Sequence, residues 1–265
     1  MTDKPVATAG AVAPEQCRTP TVDIHVHSVA SGHAFSTVEE IVAGARKRGL
    51  EGVAITDHGP ALPGGPHLYH FMALRFIPPV MDGVRVLRGV EANILGGGKL
   101  DLEENALHQL DIVLAGLHAG CGYSGASVAE HTRAILQVME HPEVDIISHP
   151  GNPVYPVDYG AIVEQAVRTG TALEINSSSF SISRTNSAPN CLEIARLCAE
   201  KGALVAIGSD AHISSAVGEF TDAVAALNHA GVKPQQVVNR NLATLLAFLQ
   251  RMGRRSLLPQ EAWQE

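Results

Sequence analysis

Positive charge is in short supply in this sequence. Its 265 residues carry 19 Lys and Arg against 27 Asp and Glu, a formal net charge of −8. That balance disfavours a protein held to nucleic acid by a broad basic face. Long apolar runs are also missing. Each is interrupted well before the roughly 18 residues that a membrane-spanning helix needs. Four cysteines, Cys17, Cys121, Cys191 and Cys198, form no CxxC pair and no dense framework, which argues against a disulfide scaffold. Charged residues make up only 17% of the chain and apolar residues 45%, so wholesale disorder is excluded and a full core can be buried. The first twenty residues lack periodicity and the bulky apolar centre of an export signal. Residues 1–20 therefore read as a disordered extension, and the protein is expected in the cytoplasm. Residues 254–265 read as a loosely docked tail in which Trp263 is a packing anchor. No Ser/Gly tract, long charge run or repeat divides what lies between, so 21–253 is expected to form one domain.

Within that span short β-branched runs recur, each ending in polar or Gly-rich residues. Strands are expected at 22–27, 52–56, 84–90, 111–117, 144–148, 171–175 and 203–208. Continuous apolar runs of this kind suit strands buried on both faces of a parallel sheet. Helical patterns fill most of the gaps, at 37–49, 127–141, 157–170, 189–202, 218–231 and 239–253. The first opens with Thr37 and Glu40 at capping-box spacing and closes on Gly49. Residues 57–83 read as a long irregular loop, a kind of segment that often carries function. Strands alternating with helices give an α/β fold. Seven such units with polar residues at one end predict a distorted (β/α)7 barrel, one strand short of eight. The other option, an open doubly wound sheet, is disfavoured because no GxGxxG follows the first strand.

Histidine is the residue in excess, with 13 copies. His25 and His27 lie two apart on the first strand, which places them on one face. His33 follows in the next loop and His58 sits just past the second strand. Glu91 closes the third strand, His118 the fourth and His149 the fifth, and Asp210 and His212 follow the seventh. The C-terminal ends of parallel barrel strands form one rim, where catalytic groups gather. A lone histidine at a strand end is ordinarily a cap or a surface residue. Nine potential ligands on six strand ends are not explained that way. Neutral imidazole and carboxylate suit Zn²⁺, Mn²⁺ or Fe²⁺ rather than a Ca²⁺ cage. His108, His131, His141 and His229 fall on helical or pre-helical segments and read as surface or capping residues. Asp57 either orients a ligand from behind or caps its turn.

The blocks DIHVHS, ITDHG, RGVEAN, GLHAG, ISHPGNP, EINSSSF and GSDAH resemble the PHP (polymerase and histidinol phosphatase) metal-dependent phosphoesterases, above all the YcdX-type stand-alone phosphatase branch. The resemblance runs over roughly 22–252 with the blocks in family order. It implies a distorted barrel holding three divalent ions, Zn²⁺ foremost. One ion would take His25, His27, Glu91 and Asp210; a second His33, His58 and His212; the third Glu91, His118 and His149, with Glu91 bridging. Glu91, Asp210 and His212 would carry the catalysis. A homotrimer is implied as well.

Physical chemistry points the same way. Three divalent ions and two carboxylates leave about +4 at the site within an acidic protein, which favours a dianionic phosphate. Adjacent metals can clamp its oxygens and bring the pKa of a bridging water near 7, so that a hydroxide attacks phosphorus in line. The expected reaction is therefore hydrolysis of a small phosphomonoester. For substrate contacts, Arg184 and Arg75 offer a bidentate fork to phosphate, and His70 is a further candidate. Arg88 reads equally as a buried structural pair. Asn176 and Ser177–Ser179 could bond phosphate or merely satisfy the strand end, and Asn152 reads as shaping the loop that aims His149. A phosphodiesterase or nuclease could use the same metals but would want a basic groove. An amidohydrolase-type barrel would want a lysine at a strand end, and all five lysines fall elsewhere. A non-catalytic metal-holding protein is the remaining alternative.

Overall fold

Seven parallel strands form a curled sheet whose two outer members meet again. The computed structural model describes residues 16–181 and 183–254; the first fifteen residues and Trp263 lie outside them. The strands are β1 (Val22–Val26), β2 (Gly52–Ile55), β3 (Val80–Met81), β4 (Val84–Asn93), β5 (Ile112–Gly116), β6 (Ile146–Ile147), β7 (Ala172–Asn176) and β8 (Val205–Gly208). Their order is β1-β2-β4-β5-β6-β7-β8. The extra strand β3 pairs antiparallel with β4 and was hidden in the segment expected to be a loop. Its two residues are too short a run to leave an apolar signal. The same segment holds α2 (Leu68–Ala73).

Closure comes from backbone and one side chain. Past the end of β8, Asp210 N–H donates to His25 O and His27 N–H to Ala211 O, both at 2.9 Å. Lower down, where β8 and β1 share no ladder, Asn239 acts as a strand substitute. Its amide donates to Val22 O at 2.8 Å and Ile207 O at 2.7 Å, and its Oδ1 accepts from Ile207 N–H at 3.0 Å. Buried backbone groups must be paired, and here one buried asparagine pairs three of them.

Six of the remaining helices follow the expected plan: α1 (Val38–Lys47), α4 (Val128–Val138), α5 (Tyr159–Thr169), α6 (Ala188–Lys201), α7 (Thr221–Ala230) and α8 (Leu242–Arg251). The four-residue α3 (Glu104–Leu107) was not expected. Thr37 and Glu40 form the reciprocal capping box at α1. The first seven helices pack on the outside of the sheet. The last has a different job: Leu245, Phe248 and Leu249 join Val22, Ile24, Leu87, Ile112, Leu114 and Ile146 in a separate cluster inside the barrel. Helix α8 thus plugs the N-terminal mouth with apolar side chains and leaves the C-terminal rim to polar ones.

Strand β1 carries the change from core to rim. Val22 and Ile24 belong to the inner cluster, whereas Val26 packs in the outer one. The register against β2 slips between Asp23 and Val26. A bulge of this kind re-aims side chains, and beyond it the rings of His25 and His27 converge. Asp23, fully buried below them, accepts from Ser209 and from Gly218 N–H, tying the β8 end to β1. Burial raises its pKa, and the same hydrogen bonds oppose that rise.

Candidate metal centre

All nine residues expected at the rim come together around Glu91. Strand β4 runs on to Asn93, so Glu91 lies within it, and β2 extends alongside: Glu91 N–H donates to Asp57 O at 3.1 Å and Gly59 N–H to Glu91 O at 2.9 Å. That pairing sets His58 beside the carboxylate. His149 Nε2 and His118 Nε2 lie 2.6 and 3.2 Å from Glu91 Oε1; His58 Nδ1 and His25 Nε2 lie 3.0 and 3.3 Å from Oε2. Asp210 Oδ1 is 3.2 Å from His27 Nε2. His33 and His212 complete the group with ring centres 4.8 Å apart. His33 is the exposed member; Glu91, His25 and His27 are fully buried.

The ring nitrogens and carboxylate oxygens that face inward crowd together at 2.6–3.2 Å. His25 Nδ1 donates to the Glu174 carboxylate at 2.8 Å, so the neutral ring presents a lone pair on Nε2. That lone pair is 3.1 Å from His27 Nε2. Asn93 Nδ2 donates to Gly59 O and to Asp101, which fixes Asn93 Oδ1 as the acceptor of His118 Nδ1 at 2.8 Å. His118 Nε2 therefore also points a lone pair inward, 3.2 Å from His149 Nε2. Glu91 Oε2 and His58 Nδ1 are buried with no hydrogen-bond partner among the described residues. Three sets of facing atoms, from His25/His27/Glu91, His27/His58/His212 and His58/Glu91/His118, each lie within 4.8 Å of one another. Imidazole and carboxylate at that spacing fit divalent transition metals.

Electrostatics keeps four of these groups in ligand form, whereas His25, although burial lowers its pKa, is carried well above its ordinary value by the Glu174, Glu91 and Asp210 carboxylates. Burial opposes ionisation of Glu91, but the imidazoles of His25, His118, His58 and His149 outweigh it and hold the carboxyl well below its usual range. Asp210 behaves likewise: burial is overcome by Arg184, His25 and His27. Burial drops the pKa of His27 to about 3, helped by the charge of His58, and that of His149 to about 4, helped by Arg184. Both rings are thus neutral. Three non-glycine residues of the site have left-handed backbone: His149 (φ 30), Arg184 (φ 52) and Asp210 (φ 56). Such strain, of order 1–3 kcal/mol each, persists where surrounding structure enforces it.

The substrate candidates divide. Arg184 is brought in: its Nη2 lies 2.9 Å from Asp210 Oδ2, near the Ser178 and Ser179 hydroxyls. His70 lies one layer back, its Nε2 3.3 Å from Asp57. Arg75 is not in the group; it is exposed, with its guanidinium 5.0 Å from the centre of the Phe76 ring. Arg88 forms the structural pair, a fork on Asp111 at 2.8 and 2.9 Å. His67 caps α2. His131, read from sequence as a surface or capping residue, is buried, with ring nitrogens 3.0 Å from Pro156 O and 3.1 Å from Gly125 O.

Apart from Asp57, sequence reasoning missed the groups that aim the ligands. Glu174 accepts from His25 through Oε1 and from His149 N–H through Oε2, both at 2.8 Å. A charged residue inside the apolar run TALEI was the available signal. Gly208 leaves the space, since a Cβ there would fall 2.2 Å from Glu174 Oε1. Ser31 Oγ touches His27 Nδ1, accepts from His58 N–H and donates to Asp57. Asp57 also accepts from Ser28; these bonds and His70 overcome its burial and hold its pKa at about 2.

A parallel barrel with a buried histidine–carboxylate cluster on its C-terminal rim defines a class of metal-binding barrel proteins. The PHP domain family model matches residues 23–178, and the chain belongs to that family. It is 55% identical to a Syntrophotalea carbinolica protein named "Probable phosphatase", over 86% of this chain and 95% of that one. A Shewanella sediminis protein of the same name is 43% identical over 89% and 96%. Among solved structures, the histidinol phosphate phosphatase of Lactococcus lactis, complexed with zinc, L-histidinol and phosphate, superposes with a TM-score of 0.58. It shares 17% identity and covers 81% of this chain and 94% of its own, a likeness of fold. No described helix is long and apolar enough to cross a membrane.

Proposed function

We propose that this protein is a metal-dependent phosphatase that hydrolyses a small phosphomonoester at a trinuclear centre, with residues 21–253 as its catalytic domain. The observation that carries the reading is the convergence of seven imidazoles and two carboxylates on one rim, with Glu91 Oε2 and His58 Nδ1 buried 3.0 Å apart and neither hydrogen-bonded among the described residues. The names of its relatives support the phosphatase half.

His25, His27, Glu91 and Asp210 would hold one ion, His33, His58 and His212 a second, and Glu91, His118 and His149 a third. When bound, such ions activate water and neutralise a phosphate dianion. The chain's own groups do the rest. Glu174, Asn93 and Ser31 hold the ring nitrogens in place. Arg184, already 2.9 Å from Asp210, is placed to take a phosphate oxygen beside the ligands. His70, its Nε2 3.3 Å from Asp57, stands one layer behind the ligands. Hydrolysis breaks the ester P–O bond; water supplies the new oxygen, one proton ends on the departing alcohol and the other on phosphate or solvent.

The test joins metal content to turnover. Protein purified without chelator is analysed for metals and assayed with p-nitrophenyl phosphate and its bis-ester, beside Glu91→Ala. The expected result is near three metals per chain, with monoester turnover that Glu91→Ala abolishes. Preference for the bis-ester would replace the monoester reading with a phosphodiesterase. Fewer than two metals after Zn²⁺ or Mn²⁺ is resupplied, with neither ester turned over, would refute the catalytic reading.

A further inference from the structure

Beyond Asn93 the chain makes a short excursion that ends beside its starting point. Ile94 pairs antiparallel with Leu100, Leu95 N–H donates to Lys99 O at 2.7 Å, and Asp101 N–H donates back to Asn93 O at 3.2 Å. The turn between them is tight because Gly97 and Gly98 both adopt a left-handed backbone, at φ 72. A carboxylate eight positions further on, Asp101, is thereby set against Asn93.

Asp101 gathers donors from the ends of two strands. Its Oδ1 accepts Asn93 N–H at 2.8 Å, and its Oδ2 accepts Asn93 Nδ2 at 2.5 Å and Ala61 N–H at 2.9 Å. Ala61 stands three residues after the ligand His58. Gly59, between them, leaves the room: a Cβ there would fall 2.3 Å from both carboxylate oxygens. The consequence reaches His118. A side-chain amide can turn either its oxygen or its NH2 toward a neighbour. The Asp101 carboxylate and Gly59 O, 3.1 Å from Asn93 Nδ2, both accept only, so the NH2 end is committed to them and Oδ1 to His118 Nδ1. The Cys121 thiol, pushed up to about 11 by burial and therefore protonated, donates to the same Oδ1 at 3.2 Å. Of the two acceptors the carboxylate is the closer and the charged one, and charge-assisted hydrogen bonds are the strong ones.

We propose that Asp101 is a positioning residue for the metal centre: by fixing the Asn93 amide it holds the His118 ring with Nε2 as the free nitrogen facing Glu91, and it ties the segment after His58 to the same point. The proposal rests on the metal-centre reading above. Without the carboxylate the amide can turn over. Its NH2 would then face His118 Nδ1, the ring proton would move to Nε2, and an N–H would point at the place of the third ion. A nitrogen that carries a proton has no lone pair to give a metal. His118 belongs to the third ligand set alone, so the loss should fall on that ion.

The test separates aim from stability. Native protein, Asp101→Asn and the exchange Asp101→Asn/Asn93→Asp are loaded with Zn²⁺ and titrated with a chelator of known affinity, and retained metal is counted by elemental analysis. Asp101→Asn should hold one ion about tenfold less tightly, the lower end of the loss seen when a group behind a metal ligand is removed. The exchange puts a carboxylate directly behind His118, which accepts Nδ1–H whichever way it turns. It should regain metal affinity to within about threefold of native, while its melting temperature, which depends on the Ala61 and Gly59 contacts, stays below native. A second readout needs no metal. In stripped protein at alkaline pH, where imidazole is neutral, the ring nitrogen chemical shifts of His118 should report Nδ1–H in the native protein and both forms in Asp101→Asn. A chelator curve for Asp101→Asn within about threefold of native overturns the proposal and leaves the phosphatase reading intact. So does a loss that the exchange does not repair. If the native protein holds fewer than two ions, the phosphatase reading fails, and the His118 ring then decides: the same form in native protein and Asp101→Asn overturns the proposal. Should Asp101→Asn not fold, Gly59→Ala displaces the same carboxylate and is read at the same ring.

Discussion

Replacing Glu174 with glutamine should loosen two metal ligands at once. The carboxylate accepts His25 Nδ1–H on one oxygen and His149 N–H on the other, with Asn176 Nδ2 3.2 Å from the second. Glutamine has nearly the same shape but only one acceptor. Its NH2 must face either the imidazole donor or the His149 amide, so one buried contact becomes donor against donor. A hydrogen bond to a charged group contributes about 1.5–3 kcal/mol net. At roughly 1.4 kcal/mol per factor of ten, this corresponds to a loss of about 10- to 100-fold in metal affinity. Losses of that size are typical when a group behind a metal ligand is removed. The assay loads native and variant protein with Zn²⁺, titrates both with a chelator of known affinity, and follows retained metal by elemental analysis and turnover of p-nitrophenyl phosphate. A thermal melt of the stripped proteins checks that both remain folded. Chelator midpoints within about threefold of each other, in folded protein, would refute the claim that Glu174 aims His25 and His149.

Three further outcomes follow from the same structure. Asn239→Ala leaves Val22 O, Ile207 O and Ile207 N–H without their partner; at about 1–3 kcal/mol for each unpaired buried group, it should lower stability by at least about 3 kcal/mol. Faster exchange of the Ile207 amide would locate the damage at the β8–β1 seam, and an unchanged rate there would contradict it. Phe248→Ala empties part of the plug under the barrel and should cost about 3–5 kcal/mol, a fall of very roughly 6–20 °C in Tm; a melt shifted by less than about 3 °C would show that the plug is dispensable. In chelator-stripped protein, His149 has its pKa lowered from the ordinary value to about 4 by burial and by Arg184. The unfolded chain then binds the extra proton first, so stability falls as pH drops from about 6.5 towards 4, by at most about 3 kcal/mol from this ring. Urea midpoints against pH should show a shallower slope in His149→Gln, and parallel slopes would refute the assignment.

Much of this was legible without coordinates because it is periodic or local. The parallel sheet follows from β-branched runs buried on both faces, and α1 from the Thr37–Glu40 box. The rim follows from a simple rule: residues at the C-terminal ends of parallel strands share one end of the barrel. That rule places His25, Glu91, His118, His149 and Asp210 together although up to 185 positions separate them in the chain. Strand β3 was not legible, because a strand of two residues has no period to read.

Tertiary structure decided what residue type and spacing leave open. Arg184 and Arg75 are the same residue type in similar loops, yet one rests on Asp210 and the other on a surface phenylalanine. Glu174 reads as an oddity in an apolar strand until β8 brings Gly208 alongside and opens room for its carboxylate. Helix α8 has the same amphipathic pattern as its neighbours, and only packing sends it under the barrel rather than around it. A cavity beside Asp210 and His212 forms between residues 177–183 and 209–222, which are joined only through the intervening helix α6. The sequence by itself determined which side chains stand at the rim, because strand direction and period are local properties of the chain. Which of them touch, and what space they enclose, depended on how distant segments pack, and that is set by the whole fold.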